Sequence, residues 1–244
     1  LDQHGRKTQE PQARLKTKRF FSYRSVYGPV GFFGRTASRL EFTQQPTNTV
    51  AGASISPAVT VQVKDAQGNS VRTAGISVSI ALTSGTGTLT GTLVQPTDAN
   101  GLATFGNLIL NLTGAKKLTP SATGLTSVAS NEFTITAGAA NKLVFTTSPG
   151  GGTAGTAFAV QPVVTLQDAF GNSVSGVAQT VTLAIQNNAG PGGTLLGTKS
   201  VTVNQSTGRA TFSGISIDKA GVGYTLTATG STVSTSPGNV VSTS

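Results

Sequence analysis

The sequence predicts an all-β chain: two tandem β-sandwiches preceded by a basic, irregular N-terminal tail. Three observations lead there. Apolar residues alternate with polar ones through most of the chain, Gly and Asn clusters break the runs about every ten residues, and one stretch of roughly a hundred residues is written twice.

The alternation is clearest in "AVTVQVKD", where Val59, Val61 and Val63 face one way and Thr60, Gln62 and Lys64 the other. In "ISVSIALT", Ile76, Val78, Ile80 and Leu82 alternate with Ser77, Ser79, Ala81 and Thr83. A period of two marks an antiparallel strand with one face buried. No stretch of the body carries a helical period. In the first copy the strands fall near 40–44, 57–65, 75–83, 88–94, 101–110, 116–123 and 131–136.

The repeat is read in order. "LEFTQQPTNTVAG" (40–52) aligns with "LVFTTSPGGGTAG" (143–155), and "VQVKDAQGNSV" with "VTLQDAFGNSV". "TLTGT" (88–92) then matches "TLLGT" (194–198), "GLATF" (101–105) matches "GRATF" (208–212), and "SATG" (121–124) matches "TATG" (227–230). The domains expected are therefore a tail at 1–38, a first sandwich at 39–136, a linker at 137–141 and a second sandwich at 142–244. About seven strands per copy is the size of an immunoglobulin-like unit. The expected core is Phe42, Val61, Val63, Val78, Ile80, Phe105, Leu108, Leu118 and Phe133. Its counterparts are Phe145, Val164, Leu166, Val181, Leu183, Phe212, Ile215, Tyr224 and Val241.

The phrases "KDAQGNSV" and "QDAFGNSV" have two readings. Asp65 with Asn69, and Asp168 with Asn172, offer hard oxygen ligands, and calcium is the cation such oxygens would take. Calcium wants about six to eight oxygens, usually from several acids, whereas each phrase holds one Asp. The alternative is a turn between strands: Asp bonds the backbone two residues on, Gly supplies positive φ, and Asn tolerates the left-handed region. The sequence favours the turn, with Gly68 and Gly171 essential to it.

Catalysis has little to work with. The chain has no Cys and one His, His4 in the tail. Glu41, Asp65, Asp98, Glu132, Asp168 and Asp218 are scattered one by one, with no paired spacing for acid–base work. "SPGGGTAG" (148–155) lacks the Lys-Ser/Thr ending of a phosphate loop. "NLT" (111–113) and "NQS" (204–206) match glycosylation sequons by coincidence. No catalytic residue and no cofactor are expected.

"LEFTQQPTNTVAG…ISPAVTVQVKDAQGNSV", with "TLTGT", "GLATFGNL" and "SATG" after it, resembles the bacterial immunoglobulin-like repeats of large secreted and surface proteins. It is similar in style to invasin/intimin-type domains and to the tandem arrays of giant bacterial adhesins. The second copy fits better still, and the resemblance covers residues 39–244. It implies an extracellular or cell-surface protein, a spacer or adhesive role without catalysis, and protein partners or self-association. The first copy departs at "AKKLTPSATG": Leu118 and Pro120 stand where the second has Tyr224 and Leu226. A proline cannot donate to a ladder, which argues against a regular central strand there.

The tail differs from the body. Residues 1–39 carry nine of the 17 Lys and Arg against two acids, so the net charge of +9 sits mainly there. Arg14, Lys16, Lys18, Arg19 and Arg24 interleave with Phe20, Phe21, Tyr23 and Tyr27. The segment reads as a leader or processing remnant, as an arm that docks into a neighbouring subunit to build an extracellular filament, or as a contact for a polyanion or an anionic membrane surface. A carbohydrate-binding module is a weaker alternative, since the body holds no Trp and only Tyr224 among its tyrosines. Nothing in the chain reads a specific nucleic acid.

Overall fold

The computed structural model describes residues 35–188, 191–231 and 233, and the backbone of 236–243. The chain divides between Gly34 and Arg35. The unit that starts at Arg35 is all-β and holds two separate hydrophobic cores, one within residues 37–135 and one within 137–233.

The first sandwich is built from β1 (Arg39–Gln44), β2 (Thr49–Val50), β3 (Val59–Lys64), β4 (Ser77–Ser84), β5 (Leu89–Thr90), β6 (Val94–Pro96), β7 (Leu102–Phe105), β8 (Ile109–Leu110), β9 (Gly114–Ser121) and β10 (Phe133–Thr136). One sheet has the order β1-β3-β7, the facing one β2-β10-β9-β4-β6, and β5 pairs with β8. The second comprises β11 (Lys142–Thr147), β12 (Val163–Gln167), β13 (Thr180–Asn187), β14 (Leu195–Leu196), β15 (Ser200–Thr202), β16 (Arg209–Thr211), β17 (Ser216–Ile217), β18 (Gly221–Gly230) and β19 (Ser236–Thr243). Its sheets run β11-β12-β16 and β15-β13-β18-β19, with β14 paired to β17. The chain passes from one sheet to the facing one between β3 and β4 and again between β12 and β13, which closes each sandwich around its own core.

Register shows the duplication residue by residue. Leu40 faces Val63 and Phe42 faces Val61, with a bulge between Phe42 and Gln44. Leu143 faces Leu166 and Phe145 faces Val164, with the bulge between Phe145 and Thr147. The inward residues of each strand are buried as the alternation requires, and the expected core residues fill the two clusters, Phe42 and Phe145 only partly buried at their rims. The side chain of Val241 lies outside the described residues. On the polar faces, hydroxyl pairs cross between strands, such as Thr43 with Thr60 at 2.8 Å and Thr83 with Thr119 at 2.7 Å.

Three expectations are corrected. The runs 88–94 and 101–110 each break into two short strands, β5 and β6, and β7 and β8, because each passes from one pairing to another. Pro120 does not interrupt β9. The Leu118 N–H points away from β4, to Ser130 Oγ at 3.0 Å. Two residues on, the nitrogen of Pro120 points the same way, beyond the reach of β10, whose pairing stops at Lys116. Pro120 therefore sits opposite Ile80 without removing a bond from the β4–β9 ladder. Finally, among the described residues only glycines have positive φ, so Asn69 and Asn172 stay out of the left-handed region.

Candidate functional site

The two Asp-Ala-x-Gly-Asn corners close the same way. Asp65 Oδ1 accepts backbone N–H bonds from Gln67 (3.0 Å) and Asn69 (2.8 Å), and Asn69 Nδ2 donates to Oδ2 at 3.0 Å. Asp168 Oδ1 accepts from the backbone of Phe170 and of Asn172, both at 2.9 Å, and Asn172 Nδ2 donates to Oδ2 at 2.8 Å. Gly68 and Gly171 turn the chain at φ +87° and +90°. These are turns whose aspartate serves as an internal acceptor.

The carboxyl groups respond accordingly. The Asn69 side-chain amide is the main reason that Asp65 lies below the ordinary aspartate range. Burial alone would raise Asp168, but the Asn172 amide and the N–H groups of Gly138, Asn172 and Phe170 outweigh it and hold the group low. A calcium ion at either corner would have to displace these donors. Among the described residues, no three His, Cys, Asp or Glu converge.

The corners differ in what lies beyond them. Asn69 is exposed, whereas Asn172 is buried. Its side chain reaches across into the first sandwich. Nδ2 donates to the Asn111 carbonyl oxygen at 2.8 Å, and Oδ1 accepts the Thr113 N–H at 3.0 Å. From the linker, the Gly138 N–H donates to Asp168 Oδ2 at 3.0 Å. The Phe170 ring lies over Gly52, so close that a Cβ there would run into it. Asp168, Phe170 and Asn172 together form a joint between the sandwiches. At the first corner the place of Gly138 is taken by Arg35, whose Nε lies 3.8 Å from Asp65 Oδ2 and whose Nη1 donates to the Ser70 carbonyl oxygen at 3.1 Å.

All four corner residues stand out in the sequence, but the joint does not. One signal was present: Phe170, an aromatic inside a polar turn where the first copy has Gln67. The sequon asparagines are turn-formers too: Asn111 Oδ1 accepts from Thr88 N at 2.7 Å, and Asn204 Oδ1 from Ser206 N at 2.9 Å. The tail candidates Arg14, Lys16, Lys18, Arg19, Phe20, Phe21, Tyr23, Arg24 and Tyr27 lie outside the described residues.

Asp98, Asp218 and Glu41 are likewise occupied. Asp98 Oδ1 accepts from Asn100 N and Leu102 N at 2.8 and 2.9 Å, and Asp218 Oδ1 accepts from Thr194 N at 2.6 Å. Glu41 pairs with Lys64 at 3.1 Å and Arg39 at 3.6 Å. It lines a groove of about 440 Å³ in which Arg39 is the one other ionisable residue.

The profile of the SMCHD1 Ig-like domain 6 family matches residues 38–127, most of the first sandwich. The sandwiches are immunoglobulin-like. No curated protein matches the sequence. Among solved structures, the chain overlaps the Escherichia coli adhesin FdeC at 20% identity, over 86% of this chain and 65% of that one, with a TM-score of 0.36. It overlaps the Yersinia pseudotuberculosis adhesin InvE at 17% identity, over 84% and 58%, with a TM-score of 0.33. It also overlaps a glycosyl hydrolase family 2 member from Bacteroides cellulosilyticus at 13% identity, over 77% and 23%, with a TM-score of 0.36. The chain spans less than two thirds of the length of each. The immunoglobulin-like assignment stands on the strand topology and the family match, and these overlaps add nothing to it.

Proposed function

We propose that this chain is a non-catalytic structural segment of an extracellular or cell-surface protein, and that its two immunoglobulin-like sandwiches act as a spacer of fixed geometry. The observation that carries the reading is the buried Asn172 side chain, bonded at 2.8 Å to Asn111 and at 3.0 Å to Thr113 in the other sandwich. A flexible tether would not need a turn residue taken out of water and paired on both sides. Two more features support a structural role: Asp65, Asp98, Asp168 and Asp218 each hold a loop, and the hydroxyl-rich faces carry little charge. The resemblance of the repeats to adhesin arrays supplies the surface location and the expectation of protein partners.

Small-angle X-ray scattering of the wild type and of Asn172→Ala tests this. The wild type should fit one fixed arrangement of the two sandwiches, and the variant a broader spread of distances. Identical broad distributions for both proteins would overturn the spacer reading.

A further inference from the structure

The joint is one interface made from two dissimilar halves, and each half occurs a second time in the chain. The head half is an Asp-Ala-x-Gly-Asn corner with the residues that lead into it. The tail half is Gly52 with the loop Asn111–Thr113. The second copy repeats the tail half bond for bond. Gly52 N donates to the Leu110 carbonyl at 2.9 Å, and Gly155 N to that of Ile217 at 2.7 Å. Thr88 N donates to Asn111 Oδ1 at 2.7 Å, and Thr194 N to Asp218 Oδ1 at 2.6 Å. The counterparts of Asn111, Leu112 and Thr113 are therefore Asp218, Lys219 and Ala220.

The first copy repeats the head half as closely. Ser38 N donates to the Lys64 carbonyl at 2.9 Å, as Asn141 N does to that of Gln167 at 2.8 Å. Residues 35–38 thus lead into β1 as 138–141 lead into β11.

Where the halves meet they are covered, and where they do not they are exposed. Residues 111–113 are half-buried and Asn172 is buried; Asp218, Lys219, Ala220, Gly155 and Asn69 are exposed. Nothing lies within 4 Å of a Cβ built on Gly155, the position that Phe170 covers on Gly52. Among the described residues, Asn69 Oδ1 has no counterpart of the Thr113 N–H bond that Asn172 Oδ1 accepts. The exposed halves also carry charges that the joint lacks: Asp218 and Lys219 stand in place of Asn111 and Leu112 on the tail, and Arg35 in place of Gly138 on the head.

We infer that the head at Asp65–Asn69 docks on the tail at Gly155 and Asp218–Ala220 of a second copy of this chain, so that copies associate head to tail in the geometry of the internal joint. In the contact, Asn69 Nδ2 donates to the Asp218 carbonyl oxygen, Asn69 Oδ1 accepts the Ala220 N–H, and Gln67 lies over Gly155. Such an interface is heterologous, so each copy keeps one half free to take a further copy rather than pairing two copies symmetrically. The inference extends the spacer reading by supplying what the spacer joins. It rests on the joint that supports that reading.

The test uses the absence of cysteine. Full-length Gln67→Cys and Thr156→Cys chains are mixed under mild oxidation, with Gln67→Cys plus Thr104→Cys, on the face of β7, as control. Unchanged unfolding midpoints check that each variant folds. A short linker supplies an effective concentration of order millimolar, so the untethered halves should meet at chain concentrations of about that size. The expected result is a disulfide-linked heterodimer from the first pair at about ten times the control rate, since random encounters set only the control. Asn69→Ala in the Gln67→Cys chain should remove the excess. Cross-linking no faster than the control, or sedimentation as a monomer at about millimolar concentration, would overturn the inference. Either result would leave the scattering test of the internal joint unaffected, so the two failures are distinguishable.

Discussion

The side-chain amide of Asn172 donates to the Asn111 carbonyl oxygen at 2.8 Å, across the boundary between two separately cored sandwiches. The same amide donates to Asp168 Oδ2 at 2.8 Å. One residue therefore holds both the turn and the joint. Its counterpart Asn69 holds only a turn.

That difference gives an unequal pair of substitutions. Asn172→Ala leaves Asp168 Oδ2, the Asn111 carbonyl and the Thr113 N–H short of partners. Unsatisfied buried groups cost about 1–3 kcal/mol, so the variant should lose about that much by chemical denaturation. Asn69→Ala should lose less, because water reaches its exposed corner. Equal losses would show that the joint contributes nothing.

One glycine locks each corner to the turn beside it. Gly101 and Gly208 have φ of +77° and +69°, and a Cβ on either would overlap the carbonyl oxygen of Val71 or Val174. Gly176 has φ +77° with nothing nearby. Left-handed strain costs a non-glycine residue about 1–2 kcal/mol, and Gly176→Ala should show that alone. Gly208→Ala adds a clash with backbone and should lower Tm distinctly further. Equal shifts would contradict the close approach.

Tyr224 is fully buried in the second core, and its hydroxyl has no hydrogen-bond partner among the described residues. An unpaired buried hydroxyl costs about 1–3 kcal/mol. Tyr224→Phe keeps the ring and removes that cost, so Tm should hold or rise. A clear fall would mean that the hydroxyl is bonded.

The lowered Asp168 fixes a pH dependence. A carboxyl group whose folded pKa lies below its unfolded value of 3.8 contributes stability that is fully present above that value and is lost as the pH falls through the folded pKa. Acid titration of Tm should therefore be steeper below about pH 4 for the wild type than for Asp168→Asn. Calcium should leave Tm unchanged, and a rise that Asp168→Ala abolishes would contradict the turn reading.

The sequence carried the sandwiches well, because a two-residue period and a second copy of every corner constrain register independently. Val59, Val61 and Val63 are all fully buried, as their alternation requires. Pro120 misled for a physical reason. Whether its missing N–H matters depends on which neighbour it would have faced, and that is set by where β10 stops. Apart from Phe170, the joint left no mark in the sequence, for a related reason. Asn69 and Asn172 are the same residue in the same turn, and only the arrival of Asn111 and Thr113 makes one of them an interface.

The most direct test of the central claim, that the Asn172 corner fixes one sandwich on the other, is measurement of residual dipolar couplings for the amides of both. The wild type should give one shared alignment tensor, and Asn172→Ala two of different magnitude. Two distinct tensors in the wild type would contradict the account.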